Sequence, residues 1–333
     1  MKKCKRFIPI FAIELLLIKQ MLHPFPVIFY GTPEFAVPSL EAILKAGFEV
    51  SAVVTVPDKP AGRGLELKRS AVGQFADKNH INVLTPENLE DIYFLNCLKQ
   101  INPTLQVVVA FRKLPEKVWA LPSIGTINLH ASLLPQYRGA APINWAIING
   151  EKETGLTTFF ISDKIDTGDI IMQEKIEIND IDTAGTLHDH LSELGARLLI
   201  KTLSAIREGS FPRLSQEFDH EIKKAPKLSK DICMIDWNKD LTILYDFIRG
   251  LSPYPAAWTT LNGRILKIYS TIKIPSEHLF NPGSVFTDFK TYLHIAVTGG
   301  FLSIAELQLE GRNKMPIIEF LKGIPKYQLP IIQ

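Results

Sequence analysis

Short apolar runs alternate with helical stretches from residue 27 to about residue 209, and no other feature of the sequence restricts the fold as strongly. The most apolar run extends from Leu105 to Phe111 and contains three consecutive valines. Its hydrophobicity is continuous, which is typical of a parallel strand that helices cover on both faces. The alternation therefore predicts a doubly wound α/β domain. In such a domain, functional side chains are expected in the loops after the carboxyl ends of the strands.

The periodicity also predicts the individual elements of this domain. Strands are predicted at 27–30, 50–56, 81–84, 105–111, 124–130 and 156–161. Helices are predicted from 33 to the stop at Gly47, from the next loop to 79, and at 86–101, 140–148 and 183–208. The segment Pro57–Gly64 is rich in proline and glycine, so an irregular loop is predicted there.

A second, smaller domain is predicted after a linker. Residues 210–232 are polar and rich in lysine, as linkers often are. The domain that follows, 233–333, opens with a helix from Leu241 to about Arg249, and Asn262-Gly263 is a hairpin signal. Its strand-like runs are at 257–261, 266–274, 283–286, 293–297 and 301–309. Short, closely spaced strands indicate a small β-barrel, of which the OB-like barrel is one form.

The charge is distributed unevenly between the two ends of the chain. The whole chain has a net charge of +2, and its 46% hydrophobic and 22% charged residues exclude a wholly disordered or collagen-like protein. Residues 223–333 hold 14 Lys and Arg against 9 Asp and Glu, a net +5, whereas residues 1–222 hold 23 against 26, a net −3. A basic C-terminal module indicates a polyanionic partner, and random scatter of charge is the alternative.

The first 25 residues and the cysteines bear on where the protein works. The start resembles a signal peptide, but Glu14 interrupts its apolar run, Lys19 closes it, and no cleavage site follows. We therefore expect residues 1–25 to be an over-extended start or a leader. The three cysteines lie far apart, which fits a reducing, cytoplasmic location. No other segment is long and apolar enough to predict a membrane span.

Polar residues are densest just after the strand at 124–130. Asn128 and His130 alternate on this strand, so their side chains leave the same face at its carboxyl end. An amide and an imidazole side by side suit an oxyanion and a proton transfer, although both side chains could instead satisfy backbone groups. Ser132 does not lie in a nucleophile elbow, so covalent catalysis has no candidate. With one histidine in the cluster, no metal site is predicted.

A second acidic cluster follows the strand at 156–161. The cluster is Asp163–Asp169, and Asp166–Asp169 is predicted to form a tight turn. Asp166 could either close an Asx turn or approach His130 and orient its ring. Gly31 also follows a strand, but Gly-Thr-Pro-Glu-Phe is not the GxGxxG pattern, which argues against nicotinamide binding.

These motifs resemble those of the 10-formyltetrahydrofolate-dependent formyltransferases over about residues 26–310. The segments that carry the resemblance are Asn128–Asn144, Thr154–Thr158 and Asp166–Ile170. Four further segments are similar to the members that formylate methionyl-tRNA, namely Gly31–Phe35, Pro57–Gly64, Lys227–Trp237 and Ile248–Trp258.

The resemblance implies a fold, an activity and a set of site residues. It implies a Rossmann-like formyltransferase domain at 26–209 and an OB-like tRNA-binding domain at 233–333 in a monomeric protein. The reaction would take formyl from 10-formyltetrahydrofolate to initiator methionyl-tRNA without a metal, with Asn128, His130 and Asp166 as the catalytic residues. The implied folate-binding residues are Phe111, Arg112, Lys113, Leu114, Ser132, Leu133, Leu134 and Pro135. The tRNA-binding residues would be Arg63, Lys223, Lys224, Lys227 and Lys230.

Three alternatives stay open at this point. The same chemistry would serve a formyltransferase that acts on a sugar amine, or a hydrolase that uses water. A non-catalytic RNA-binding protein could have the same two domains. The linker lysines and the basic C-terminal module favour tRNA as the acceptor, and the Asn128, His130 and Asp166 set favours an enzyme.

Overall fold

The computed structural model of the protein describes residues 25–61, 66–217 and 221–323. Within these residues the chain forms two compact units. One comprises residues 25–129, 158–163 and 196–213, and the other comprises residues 130–157, 164–195 and 214–323.

The elements alternate through the first two thirds of the chain and are mostly strands in the last third. The strands are β1 (Val27–Gly31), β2 (Val50–Val54), β3 (Lys59–Ala61), β4 (Glu66–Lys68), β5 (Val83–Leu84), β6 (Leu105–Val109), β7 (Gly125–His130), β8 (Arg138–Gly139), β9 (Glu153–Phe160), β10 (Ile170–Glu177), β11 (Lys224–Ala225), β12 (Ala257–Leu261), β13 (Arg264–Pro275), β14 (Val285–Thr287), β15 (Leu293–Val297), β16 (Gly300–Leu309) and β17 (Met315–Pro316). The helices are α1 (Val37–Lys45), α2 (Ala71–Lys78), α3 (Ile92–Ile101), α4 (Glu116–Trp119), α5 (Pro142–Ile148), α6 (Ala184–Glu208), α7 (Leu241–Leu251) and α8 (Ile317–Leu321), with short 3-10 helices at Glu34–Ala36 and Asp231–Cys233.

A seven-stranded sheet in the order β10-β9-β7-β6-β1-β2-β5 forms the α/β part of the chain. The strands β5, β2, β1, β6 and β7 pair in parallel, and β1 and β6 are buried along their whole lengths. The connections reverse direction between β1 and β6, which confirms the doubly wound α/β fold. At the end of β1 a Cβ on Gly31 would lie 2.8 Å from the Phe29 ring and 2.9 Å from the Ala36 methyl group, so a larger residue there would displace its neighbours.

The structure corrects three of the predicted elements. The sequence does not predict the strand β10, because after Ile171 its residues are only partly buried or exposed, and the exposed positions carry polar or charged residues such as Lys175 and Glu177. The helix predicted at 86–101 begins only at Ile92, where the Asp91 carboxylate accepts hydrogen bonds from the first free backbone amides. The segment predicted as an irregular loop contains β3, which pairs with β4 in antiparallel fashion, and residues 62–65 between them lie outside the described residues.

The C-terminal strands form an antiparallel sheet in the order β12-β13-β16-β15-β14, and β17 pairs with β16. Asn262 and Gly263 both have positive φ, 51° and 76°, as a two-residue hairpin turn between β12 and β13 requires. The helix α7 packs its apolar face on this sheet, with Leu244, Ile248 and Leu251 in the core. In the described residues β12 and β14 are the two ends of an open sheet, so the barrel prediction is confirmed only as far as an antiparallel sheet.

None of the helices in the described ranges combines the length and apolar composition that crossing a membrane requires.

Candidate active site

His130 is the last residue of β7 and is almost fully buried, with 6% of its surface exposed. Its Nε2 atom lies 2.9 Å from the backbone carbonyl oxygen of Tyr137. A carbonyl oxygen only accepts hydrogen bonds, so Nε2 must carry a proton and donate it. In the neutral ring Nδ1 therefore has the free lone pair, and it is the nitrogen left for chemistry.

The structure places Asp166 beside that nitrogen. The Asp166 Oδ2 atom lies 3.9 Å from His130 Nδ1, and the Asp166 side chain is only 12% exposed. The same oxygen accepts a hydrogen bond of 2.9 Å from the backbone amide of Gly139. Since 3.9 Å exceeds a hydrogen-bond length, the carboxylate faces the imidazole as a charge rather than as a direct partner.

Asn128 lies two residues before His130 on β7, so the two side chains leave the same face of the strand. Asn128 is partly buried, and its side chain makes no hydrogen bond to any residue in the part of the chain that the structure describes. Its amide group is therefore available to a ligand.

The loop after β7 is held by a set of internal hydrogen bonds. The buried Ser132 hydroxyl donates to the carbonyl of Gln136 at 2.6 Å. The Thr157 hydroxyl donates to the carbonyl of Ser132, and the amide of Leu134 donates to the Thr157 hydroxyl. The Gln173 amide donates to the carbonyl of Leu134. The predicted folate-binding residues 132–135 therefore form a fixed loop whose one hydroxyl is already engaged.

The other predicted folate-binding segment borders a pocket of about 410 Å³. Arg112, Lys113 and Leu114 line it together with the loop 87–90. The Arg112 guanidinium donates to the carbonyls of Pro86 and Glu87, so this side chain holds the neighbouring loop in place. Phe111 packs edge to face against the buried Tyr30, with ring centroids 5.6 Å apart.

Part of the predicted linker pairs with the loop after β7. The strands β8 and β11 pair in parallel, and a Cβ on Gly139 would overlap the carbonyl group of Ala225, so the position requires glycine. The Tyr137 amide donates to the carbonyl of Lys223 at 2.7 Å. Tyr137 is thus fixed at both ends of its backbone, by Lys223 at its amide and by His130 at its carbonyl.

The predicted tRNA-binding residues fall into different surroundings. The Lys223 Nζ atom lies 2.6 Å from Glu151 Oε1, which also accepts a hydrogen bond from the Tyr137 hydroxyl. Lys224, Lys227 and Lys230 are exposed, and Lys230 Nζ lies 5.3 Å from the centre of the Trp258 ring. Arg63 lies outside the described residues.

The buried polar groups around Tyr137 have shifted pKa values. Burial, reinforced by its hydrogen bond to Glu151, raises the pKa of Tyr137. Burial also acts to raise the pKa of Glu151, but the hydrogen bonds from Lys223 and Tyr137 together outweigh it and lower that pKa. Burial lowers the pKa of Arg138, against the opposing attraction of the Asp166 charge.

Two polar residues that contact this site were missed in the sequence. Glu151 binds Tyr137 and Lys223, and Gln216 binds Asp166 and Arg138. Neither residue lies in a dense motif, and Gln216 is one of several polar residues in a segment with the composition of a linker. In the described ranges no group of three or more His, Cys, Asp or Glu side chains is placed to hold a metal ion.

Both the N-terminal and the C-terminal part of the chain match known protein families. Residues 25–203 match the family described as Formyl transferase, and residues 227–325 match Formyl transferase, C-terminal domain. The methionyl-tRNA formyltransferase of Bacteroides fragilis is 48% identical over 305 residues, which cover 89% of this chain and 94% of that protein. The protein of that name from Parabacteroides distasonis is 51% identical over 307 residues, covering 89% and 95%.

Solved structures with the same fold are more distant in sequence. HypX from Aquifex aeolicus, solved with tetrahydrofolic acid, aligns with a TM-score of 0.59 at 19% identity over 90% of this chain, which spans only 48% of the HypX chain. An N-formyltransferase from Helicobacter canadensis, solved with folinic acid and dTDP-3-aminofucose, aligns with a TM-score of 0.61 at 23% identity over 87% of this chain and all of that chain. At these identities the likeness concerns the fold alone.

Proposed function

The chain belongs to the formyl transferase family, in its methionyl-tRNA formyltransferase branch, and we propose that Asn128, His130 and Asp166 perform its reaction. The protein transfers the formyl group of 10-formyltetrahydrofolate to the amino group of methionyl-tRNA. The observation that carries the assignment of residues is the approach of Asp166 to the one free nitrogen of His130.

The reaction needs a group that removes a proton from the attacking amine. The amine must be neutral to attack the formyl carbon, and its nitrogen becomes positive as the new bond forms. His130 Nδ1 has the free lone pair, because Nε2 donates to the Tyr137 carbonyl, so Nδ1 accepts the proton directly or through water. The nearby Asp166 carboxylate then stabilises the positive charge on the ring.

The reaction also needs a donor for the oxygen that becomes negative at the tetrahedral centre. The side-chain amide of Asn128 leaves the same face of β7 as the His130 ring and has no partner in the described part of the chain. We assign it to this oxygen, a type of contact that contributes about 3–4 kcal/mol in enzymes where it has been removed by mutation. The proton that His130 gains gives the centre a second donor, and it passes directly or through water to N10 of the folate as the bond between N10 and the formyl carbon breaks.

We further propose that folate binds along the two segments named from the sequence. The loop 132–135 is held by internal hydrogen bonds, and residues 112–114 border the pocket of about 410 Å³. Small-molecule sites in proteins are commonly a few hundred Å³ in volume, and the fixed loop would supply backbone groups with little loss of entropy on binding.

The acceptor is proposed to be the initiator tRNA, bound by a monomeric protein in the cytoplasm. The exposed Lys224, Lys227 and Lys230 and the net +5 of residues 223–333 support binding to a polyanion. Arg63 is proposed to contact the acceptor stem, since a guanidinium can bond a phosphate or a base edge at two points. The antiparallel C-terminal sheet is proposed to complete an OB-like module that contacts the tRNA.

A substrate comparison tests this function. Purified protein with 10-formyltetrahydrofolate is offered methionyl-tRNA, deacylated tRNA or an amino-sugar nucleotide, and the formylated product is measured. We expect formylation of methionyl-tRNA only, and Arg63→Ala should lower that rate far more than the slow hydrolysis of the folate. Formylation of the sugar in preference to methionyl-tRNA would contradict the acceptor. Equal loss of transfer and hydrolysis in Arg63→Ala would place Arg63 in the folate pocket instead.

A further inference from the structure

Gln216 lies in the segment predicted as a linker, yet its side chain makes four hydrogen bonds at the candidate active site. Its Oε1 atom accepts from Nε and Nη2 of Arg138, at 3.1 and 2.7 Å. Its Nε2 atom donates to the carbonyls of Asp166 and Gly168, at 3.1 and 2.8 Å. The amide therefore uses its full capacity of two donated and two accepted hydrogen bonds.

The chemistry of these partners fixes the orientation of the amide. A rotated Gln216 side chain would place its NH₂ group against the Arg138 guanidinium and its oxygen against two carbonyls. Neither arrangement can form hydrogen bonds, because guanidinium groups only donate and carbonyls only accept. The position thus requires a side chain that donates on one side and accepts on the other, which is what glutamine offers and glutamate does not.

Backbone pairing on either side of this turn positions Gln216 beside it. Ile170 and Leu214 form an antiparallel bridge, with hydrogen bonds of 2.8 and 3.0 Å between their backbone groups. Counting two residues from the bridge in opposite directions sets Gln216 against Gly168. The neighbours Ser215 and Glu217 are exposed, whereas Gln216 is partly buried.

The turn that Gln216 holds is the one that presents the Asp166 carboxylate. Asp166 has a positive φ of 55°, a conformation that is uncommon for residues other than glycine. Gln216 binds the Asp166 carbonyl, and it also binds Arg138, whose neighbour Gly139 donates to Asp166 Oδ2. One side chain therefore ties both the backbone of Asp166 and the loop that binds its carboxylate.

We infer that Gln216 is a positioning residue for the reaction, which holds Asp166 at its working distance from His130. The inference rests on the proposed role of Asp166. Because a small misplacement of a reacting group costs much of its contribution, loss of this hold should lower turnover without affecting the binding of either substrate.

Two substitutions at Gln216 distinguish the contacts of its oxygen from those of its NH₂ group. Gln216→Met keeps the length and removes all four hydrogen bonds. Gln216→Glu keeps an acceptor for Arg138 but loses both donors and sets a negative oxygen against the two carbonyls. We expect each to lower kcat about tenfold, with KM for both substrates changed by less than about twofold. The exposed Ser215→Ala is the matched control and should keep the parent kcat. If Gln216→Glu keeps the parent kcat, Gln216 only anchors Arg138 and the inference is wrong.

A double-mutant cycle with Asp166→Asn tests whether Gln216 acts through Asp166. If it does, Gln216→Glu and Gln216→Met should each lower kcat by less than about twofold in the Asp166→Asn background. The full tenfold loss in that background would overturn the inference and indicate a general structural role. Parent turnover in Asp166→Asn alone would instead overturn the proposed role of Asp166. Thermal melts of every variant identify any that does not fold, and the cycle is complete with either Gln216 variant.

Discussion

The end of β7 and the segment 214–225 both consist largely of polar residues, but they use their hydrogen-bonding groups in opposite ways. At the end of β7 the groups are buried or partly buried and incompletely paired, as with His130 Nδ1 and the Asn128 amide in the described part of the chain. In the described residues of the segment 214–225, the side chains of Gln216 and Lys223 are hydrogen-bonded to residues at the site, and most of the other described side chains are exposed. Buried polar groups in proteins are normally paired, so we propose that the unpaired groups at the end of β7 are those that react and that the paired side chains of the segment 214–225 position them.

The largest effect is expected at these unpaired groups. We expect His130→Ala and Asn128→Ala each to lower kcat by at least about a hundredfold, because each removes a group that acts mainly in the transition state. Binding of methionyl-tRNA, measured separately by filter retention, should be largely kept. Near-normal turnover in either variant would show that the unpaired groups at this strand end are not the reacting groups.

Asp166 combines features of both kinds of group, since its Oδ2 atom accepts a hydrogen bond from Gly139 and also faces His130. We expect Asp166→Asn to fold and to lower kcat by at least about tenfold, because an amide has no charge to stabilise a protonated ring. The pH dependence of the rate is the decisive measurement. A pH–rate profile of the same height and shape as that of the parent would show that Asp166 only closes a turn.

The same distinction explains how much the sequence could predict. Continuous hydrophobicity at 105–109 and the dense motif around His130 are local signals, and both the α/β sheet and the candidate reacting residues followed from them. The contacts of Gln216 join residues 48 to 78 positions apart, and a single glutamine in a polar segment has no local signal. Which side chain suits such a position depends on partners that are distant in the sequence, so the local sequence does not mark it. Whether the C-terminal strands close into a barrel was equally beyond prediction, because strand length and spacing do not specify closure.

A substitution of Glu151 tests the paired groups through the stability of the folded protein. Its side chain is 28% exposed, and its carboxylate binds both Lys223 and Tyr137. Its pKa in the folded protein is lowered from 4.5, so its charge stabilises the fold above that pH, and this stabilisation is lost as the pH falls through the folded pKa. We expect Glu151→Gln to lower the free energy of unfolding by about 1–2 kcal/mol at pH 7.

The pH dependence of this difference separates Glu151 from a simple packing residue. Urea titrations of the parent and of Glu151→Gln should show the difference shrinking progressively below pH 4.5, where the unfolded carboxyl also becomes protonated. The exposed pair of Lys152 and Asp180 provides a control, since removal of either partner should cost much less. A difference that stays constant from pH 7 to pH 4 would mean that the Glu151 charge does not stabilise the fold.

The smallest expected effects concern the lysines of the predicted linker. These lysines also differ in whether their side chains are paired within the protein. Lys223 is paired with Glu151, and its carbonyl accepts from the Tyr137 amide, whereas the exposed Lys224 side chain is left to solvent or to tRNA. Lys223→Met removes the ion pair with Glu151, whose carboxylate also holds the Tyr137 hydroxyl. We expect it to lower kcat about threefold with KM for tRNA unchanged. Some effect is expected because the Tyr137 carbonyl binds His130, and the effect should be small because a partly exposed ion pair contributes little.

A combined Lys224, Lys227 and Lys230 variant should raise KM for tRNA and flatten its dependence on salt, because contacts to phosphates release counterions. Both variants are assayed with methionyl-tRNA at several salt concentrations, with Lys239→Met, outside the proposed set, as control. If Lys223→Met changes only KM and the salt slope, Lys223 binds tRNA like its neighbours and its contact with Glu151 has no part in turnover.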